Sequence, residues 1–152
     1  MLEDDEAMEI ALAEAALAEE HGDVPVGAVV VRGGVVVARR HNERERRADP
    51  TAHAEVLALR DAAAGAGGWR LDGCTVYSTL EPCPMCAGAL LAARVDRVVF
   101  AAADPKAGAC GSLYNLLADP RLNHEPDILA GVLAERAAGL LEAFFATRRT
   151  SR

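Results

Sequence analysis

No apolar run in this 152-residue chain approaches the roughly 20 residues that a membrane-spanning helix needs, so no transmembrane segment is expected. Aromatic residues are scarce, at 4%, but 51% hydrophobic and 26% charged residues together describe an ordinary soluble globular protein. The opening Met1-Leu2-Glu3-Asp4-Asp5-Glu6 is acidic where a secretory signal would be basic and then apolar, which points to a cytoplasmic protein. Cysteine is limited to Cys74, Cys83, Cys86 and Cys110, and a reducing cytosol argues against pairing them as disulfides. The length fits one domain spanning residues 1–152 that buries roughly 70% of its unfolded surface. Internal repeats, linkers and low-complexity segments beyond alanine richness are lacking.

The net charge of −7 disfavours an anionic partner only until the charge is located. Residues 1–20 hold eight acidic residues and no Lys or Arg, leaving 15 acids against 16 bases in the rest. The body of the protein is therefore near neutral. Within it, Arg39, Arg40, Arg44, Arg46 and Arg47 crowd one stretch and Arg148, Arg149 and Arg152 another, so an anionic substrate is not excluded. Any one of these arginines also fits a solvated surface. The acidic first segment is expected to lie away from a face that meets phosphates.

Taken in order, Asp4 to about His21 reads as a helix, with Ile10, Ala13 and Leu17 as its apolar stripe and Gly22 as its stop. Val26–Arg32 and Val35–His41 read as antiparallel strands joined by Gly33-Gly34, which supply the positive φ of a type I′ hairpin. An Arg-rich loop, 42–49, leads to a helix start at Asp49-Pro50-Thr51, capped by Asp49 or Thr51, and a helix from His53 to about Ala64. Cys74–Thr79 reads as a buried strand, Pro84 opens a helix running to about Arg94, and Val95–Ala103 is another strand, parallel to the one before it. Asp104–Leu113 is then a loop leaving the carboxyl end of that strand, where open α/β sheets bind ligands. A short helix between Tyr114 and Asn123, a short strand at Asp127–Gly131 and a helix from about Val132 to Arg149 complete the chain, the last with Leu133, Ala137, Leu140, Leu141 and Phe144 facing the core. The fold class is α/β: a mixed sheet of about five strands between helices.

Two segments carry chemistry, Pro50-Thr51-Ala52-His53-Ala54-Glu55 and Thr79-Leu80-Glu81-Pro82-Cys83-Pro84-Met85-Cys86-Ala87-Gly88-Ala89. One His and two Cys make a three-ligand set that leaves a fourth position open, the pattern of a catalytic zinc site. Cys83 and Cys86, three apart, fall on one face of a helical turn. Cys-x-x-Cys alone would fit a redox pair as well; the upstream His-x-Glu decides for metal. Glu55 points about 200° around the helix from His53, away from the same vertex and suited to proton transfer. Zinc held this way lowers the pKa of its water toward about 7. A structural zinc knuckle is the alternative, but none of His21, His41, His124, Cys74 or Cys110 has ligand spacing to the pair.

The signature His-x-Glu followed by Pro-Cys-x-x-Cys is that of zinc deaminases. Over nearly its whole length the sequence resembles the zinc-dependent cytidine and deoxycytidylate deaminase superfamily, and within it the bacterial tRNA-specific adenosine deaminases. The blocks that carry the resemblance are Asp23-Val24-Pro25-Val26-Gly27-Ala28, 49–55, 79–89, Asp104-Pro105-Lys106-Ala107-Gly108, Gly111-Ser112-Leu113, Leu122-Asn123-His124 and Phe144-Phe145-Ala146-Thr147-Arg148-Arg149. The resemblance implies a three-layer α/β/α cytidine-deaminase-like fold, a homodimer with one Zn²⁺ per subunit, and hydrolysis of the wobble adenosine of a tRNA anticodon stem-loop to inosine. It further implies that His53, Cys83 and Cys86 bind the metal and that Glu55 shuttles protons. Asn42 would contact the adenine and Val26 and Ala54 would shape its pocket, with Asp104 and Lys106 near the nucleotide and Phe145, Arg148 and Arg149 facing the RNA.

Overall fold

A computed structural model of the protein describes residues 2–150; Arg152, named above with the basic residues, lies outside the described residues. The elements are α1 (Asp4–Ala18), β1 (Gly27–Arg32), β2 (Val35–His41), α2 (Arg44–Arg47), α3 (Ala54–Ala66), β3 (Cys74–Leu80), α4 (Pro84–Ala93), β4 (Arg97–Ala102), β5 (Asp127–Ala130) and α5 (Ala134–Thr150), with 3₁₀ turns at Glu19–His21 and Leu116–Ala118. The sheet runs β2-β1-β3-β4-β5: β1 is antiparallel to both neighbours, and β3, β4 and β5 are parallel. Gly33 and Gly34 both have positive φ, 58° and 76°, as the hairpin between β1 and β2 requires.

Side chains alternate across the sheet and divide the core in two. Ala28, Val30, Val76, Val98 and Phe100 pack with Ala54, Ala58 and Ala62 of α3 and Ala87 and Leu90 of α4. Val29, Val31, Tyr77, Val99 and Ala101 pack with Ala7, Met8, Ala11 and Leu12 of α1 and Ala137 of α5. This is the expected three-layer α/β/α arrangement, with the acidic α1 on the opposite layer from α3 and α4.

Three local expectations are corrected. The buried face of α1 is Ala7, Met8, Ala11, Leu12, Ala15 and Ala18, whereas Ala13 and Leu17 are exposed and Ile10 half-buried. The reason lies in β1: a Cβ on Gly27 would stand 2.0 Å from the Ala11 carbonyl oxygen, so helix backbone meets strand backbone and only small residues fit between them. The loop 42–49 contains the single helical turn α2, because the Asp23 carboxylate accepts the Glu45 and Arg46 N–H groups at 2.9 and 3.3 Å and so fills the role of a cap. The first site helix begins at Ala54 with His53 as N-cap; Asp49 instead closes a local turn on Thr51.

Candidate metal centre and its rim

Both chemical segments end at a helix N-terminus. Cys83 is the N-cap of α4, with Pro84 in the first turn, and His53 is the N-cap of α3. Neither cap residue makes a side-chain capping bond, so ring and thiol are free to face one another. The His53 Nδ1 lies 3.6 Å from Cys83 Sγ and 3.4 Å from Cys86 Sγ, and the three donor atoms lie within 4.8 Å of one another. Among the described residues this is the one cluster of three or more His, Cys, Asp or Glu suited to a metal. An imidazole and two thiols converging at two helix N-termini form a soft, dipole-stabilised donor set that fits Zn²⁺.

The cap that His53 does not supply comes from Asn42, whose Oδ1 accepts the Ala54 N–H at 2.8 Å while its Nδ2 donates to the Val24 carbonyl at 3.1 Å. Asn42 therefore holds the N-terminus of α3 in place and retains one amide N–H. Glu55 is 4% exposed. Burial pushes its carboxyl above the ordinary value, and its own backbone N–H and the His53 ring pull the other way. The two thiols are unlike: a hydrogen bond from Cys86 and then the His53 ring hold Cys83 down to about 4, while the same contact and burial push Cys86 up. Cys74 and Cys110 are buried small residues, as expected, and burial pushes the Cys110 thiol up to about 12.

The other expected site residues fall into two groups. Val26 and Ala54 are buried in one core cluster, Ala54 next to His53 in sequence, and Asn42, Phe145 and Arg148 line a cavity of about 130 Å³ together with Arg44 and Phe144. Arg148 stacks on the Phe144 ring at 4.5 Å and donates to the Gly22 carbonyl, while Phe145 remains 44% exposed. Asp104 and Lys106 are outside this lining, on the loop after β4, where Asp104 Oδ1 accepts the Lys106 and Ala107 N–H groups at 3.1 and 3.2 Å. Arg149 is exposed and also outside it. Most of the 39–47 arginines are paired: Arg39 with Glu14, Arg40 with Asp61 and Glu43, Arg46 and Arg47 with Glu43.

Sequence reasoning gave no role to Glu81, which is 2% exposed and receives four hydrogen bonds from the 104–112 loop. Burial raises its pKa, but the Ser112 hydroxyl and the Asp104, Ser112 and Cys110 amides outweigh it and hold the carboxyl below the usual range. A glutamate standing between an apolar strand segment and Pro82 was the available signal.

The sequence model of the cytidine and deoxycytidylate deaminase zinc-binding region matches residues 1–102. The chain belongs to that family. It is 51% identical over 145 residues to the tRNA-specific adenosine deaminase of Bacillus subtilis, covering 95% of this chain and 90% of that one. A structure from a study of A-to-I editing by tRNA:A34 deaminases at the wobble position of transfer RNA superposes with a TM-score of 0.86 at 43% identity, covering 89% of this chain and 98% of that one. The structure of guanine deaminase from Bacillus subtilis superposes with a TM-score of 0.65 at 32% identity, over 97% of this chain and 94% of that one. The metal of the family is zinc, and the His53, Cys83 and Cys86 group is positioned for it. No helix is long and apolar enough to cross a membrane among the described residues.

Proposed function

We propose that the protein hydrolyses the wobble adenosine of a tRNA anticodon loop to inosine, releasing ammonia. The observation that carries this reading is a buried carboxyl, Glu55, next to a converged His53, Cys83 and Cys86 set: a structural metal has no use for that carboxyl. Zinc in this set supplies a Lewis acid that makes water a nucleophile near neutral pH. Glu55 takes a proton from the attacking water and passes it to N1 of the adenine as the oxygen bonds to C6. Glu55 then takes the remaining proton from the new C6 hydroxyl and passes it to the exocyclic amine, so that the C6–O bond becomes a carbonyl as the C6–N bond breaks and ammonia leaves. Val26 and Ala54 form the apolar wall of the base pocket, and the remaining Asn42 N–H donates to the base edge. Phe145 offers a stacking face, Arg148 and Arg149 contact phosphates, and Asp104 and Lys106 approach the nucleotide from the loop after β4. An anticodon-loop adenosine is already unpaired, so extruding it costs little.

The enzyme works in this reading as a cytoplasmic homodimer. In support, an open apolar groove of about 360 Å³ between α3 and α4, lined by Val56, Leu59, Ala63, Ala89 and the exposed Trp69, is available for a second copy. Sedimentation velocity reads the assembly directly. The likeness to guanine deaminase favours a second reading, hydrolysis of a free base. Incubating the zinc-loaded protein with an anticodon stem-loop and separately with guanine, and measuring inosine, xanthine and ammonia, separates the two. Inosine from the stem-loop, reduced about 10³-fold by Glu55→Gln, is expected; xanthine alone, or full activity of the variant, overturns the proposal.

A further inference from the structure

Parallel strands β3 and β4 are in register from Thr75↔Arg97 to Leu80↔Ala102, so both leave the sheet at one edge. From β3 the chain passes through Glu81 and Pro82 to Cys83; from β4 it enters the loop carrying Asp104 and Lys106. A single carboxylate joins the two exits. Glu81 Oε1 accepts the Asp104 N–H at 3.0 Å and the Ser112 hydroxyl, and Oε2 accepts the Cys110 and Ser112 N–H groups at 2.9 and 3.0 Å. The bonds reach both ends of the loop, so the loop is wrapped around the carboxylate. Main-chain bonds hold the Glu81 segment itself, with Glu81 N–H donating to Ala102 O and Ala109 N–H to Pro82 O, each at 2.8 Å. Gly108 presses on the same group: a Cβ there would lie 2.3 Å from the Glu81 carboxylate carbon and oxygen. Inside the loop, the Asp104 turn sets the direction in which Lys106 leaves the surface.

We propose that Glu81 is a positioning residue for substrate: its carboxylate fixes the 104–112 loop against the Cys83 segment, holding Lys106 where it meets a nucleotide phosphate at the mouth of the metal centre. The inference rests on the nucleotide substrate proposed above. Four donors aimed at one carboxylate leave no place for an amide NH₂, so Glu81→Gln sets donor against donor while keeping the side-chain volume. Ser112→Ala removes one of the four bonds at an exposed position and serves as the milder second variant.

The zinc-loaded proteins are compared by metal content, by steady-state deamination of an anticodon stem-loop, and by hydrogen exchange of the 104–112 segment. Glu81→Gln is expected to keep its zinc, to raise KM for the stem-loop about 10-fold with kcat changed less than about threefold, and to speed exchange in 104–112 at least 10-fold while α3 and α4 are unaffected. Ser112→Ala should move the same quantities in the same direction by less. In a Lys106→Ala background the added KM penalty of Glu81→Gln should vanish, because the two act through one contact. An unchanged KM in a folded, zinc-loaded variant, full additivity with Lys106→Ala, or loss of zinc together with kcat at constant KM overturns the inference. Inactivity of the unaltered protein on the stem-loop refutes the proposed substrate instead, and unchanged exchange in 104–112 still refutes the clamp.

Discussion

Gly27→Ala should destabilise this protein severely although it adds one methyl group. The added Cβ would stand 2.0 Å from the Ala11 carbonyl oxygen and 2.7 Å from the Ala15 nitrogen, both backbone atoms of α1. Carbon atoms of this kind rarely come within 3.0 Å of a neighbour, so α1 and β1 must separate by about 1 Å. Side-chain rotation cannot relieve the contact, because the obstacle is the helix itself. A gap of that size forfeits a quarter to a half of the dispersion energy of the atoms facing it, and here those include the fully buried Ala7, Met8, Ala11 and Ala15. Overpacking costs about 1–3 kcal/mol where side chains can yield; against fixed backbone the expected loss is about 3 kcal/mol or more. With a urea m-value of about 1.5–2 kcal/mol/M for a chain of this size, the unfolding midpoint should fall by about 1.5–2 M with m unchanged. Gly65→Ala is the control: nothing lies within 4 Å of its Cβ, it sits on the exposed side of α3, and it should be neutral or stabilising by about 0.5–1 kcal/mol. A Gly27→Ala midpoint within about 0.3 M of the unaltered protein would refute the backbone-to-backbone packing of α1 on β1.

Two further outcomes are expected. The Arg97 guanidinium, paired to both oxygens of Asp4 at 2.7 Å, together with the Tyr77 hydroxyl holds the Asp4 carboxyl below its ordinary value of 3.8 despite some burial. A depressed folded-state pKa gives stability that is present above about 3.8 and lost as pH falls through the folded value. Asp4→Asn should therefore cost about 1–2 kcal/mol near pH 7, and the difference should close as pH falls below 3.8 through the depressed folded-state value; a penalty independent of pH contradicts the ion pair. Removing metal with a chelator should lower the thermal midpoint by the equivalent of several kcal/mol, since metal at 1,000 times its Kd contributes about 4 kcal/mol. His53→Ala should abolish that response; an equal chelator shift in the variant would place the metal elsewhere.

Features encoded by local covalent demands were legible in the sequence. Gly33-Gly34 could only be a tight hairpin, Pro84 could only open a helix, and the strand β2 was expected at the bounds it has. The His53, Cys83 and Cys86 set was legible for the same reason, since ligand type and spacing leave few alternatives. What was not legible depended on groups distant in sequence. The turn α2 forms because Asp23, more than twenty residues earlier, receives its first N–H groups. Helix α3 is capped by Asn42, so the local candidates Asp49 and Thr51 misled. In α1 the larger apolar residues Ile10 and Leu17 suggested the buried face, but close approach by Gly27 selected the alanine face. Hydrophobicity could not reveal this, because the partner's missing side chain decides it.

The acidity of the chain is compatible with the proposed anionic substrate at the metal centre because of where the acids sit. Several of the α1 carboxylates are consumed internally, Asp4 by Arg97, Glu9 by Arg136 and Glu14 by Arg39 and His41. The remainder project from a helix packed on the α5 side of the sheet, while the metal centre is carried by α3 and α4 on the other side. Packed layers lie about 10 Å apart, so these acids stand roughly two layers from α3 and α4, beyond a Debye length of about 8 Å at physiological salt. The separation holds for the metal centre and not for Arg148 and Arg149, which stand on α5 in the same layer as α1, where Arg148 donates to the Gly22 carbonyl just past Glu19 and Glu20. Net charge describes how the whole protein behaves in solution; the sheet, by separating the acidic helix from α3 and α4, decides which part of that charge the metal centre encounters.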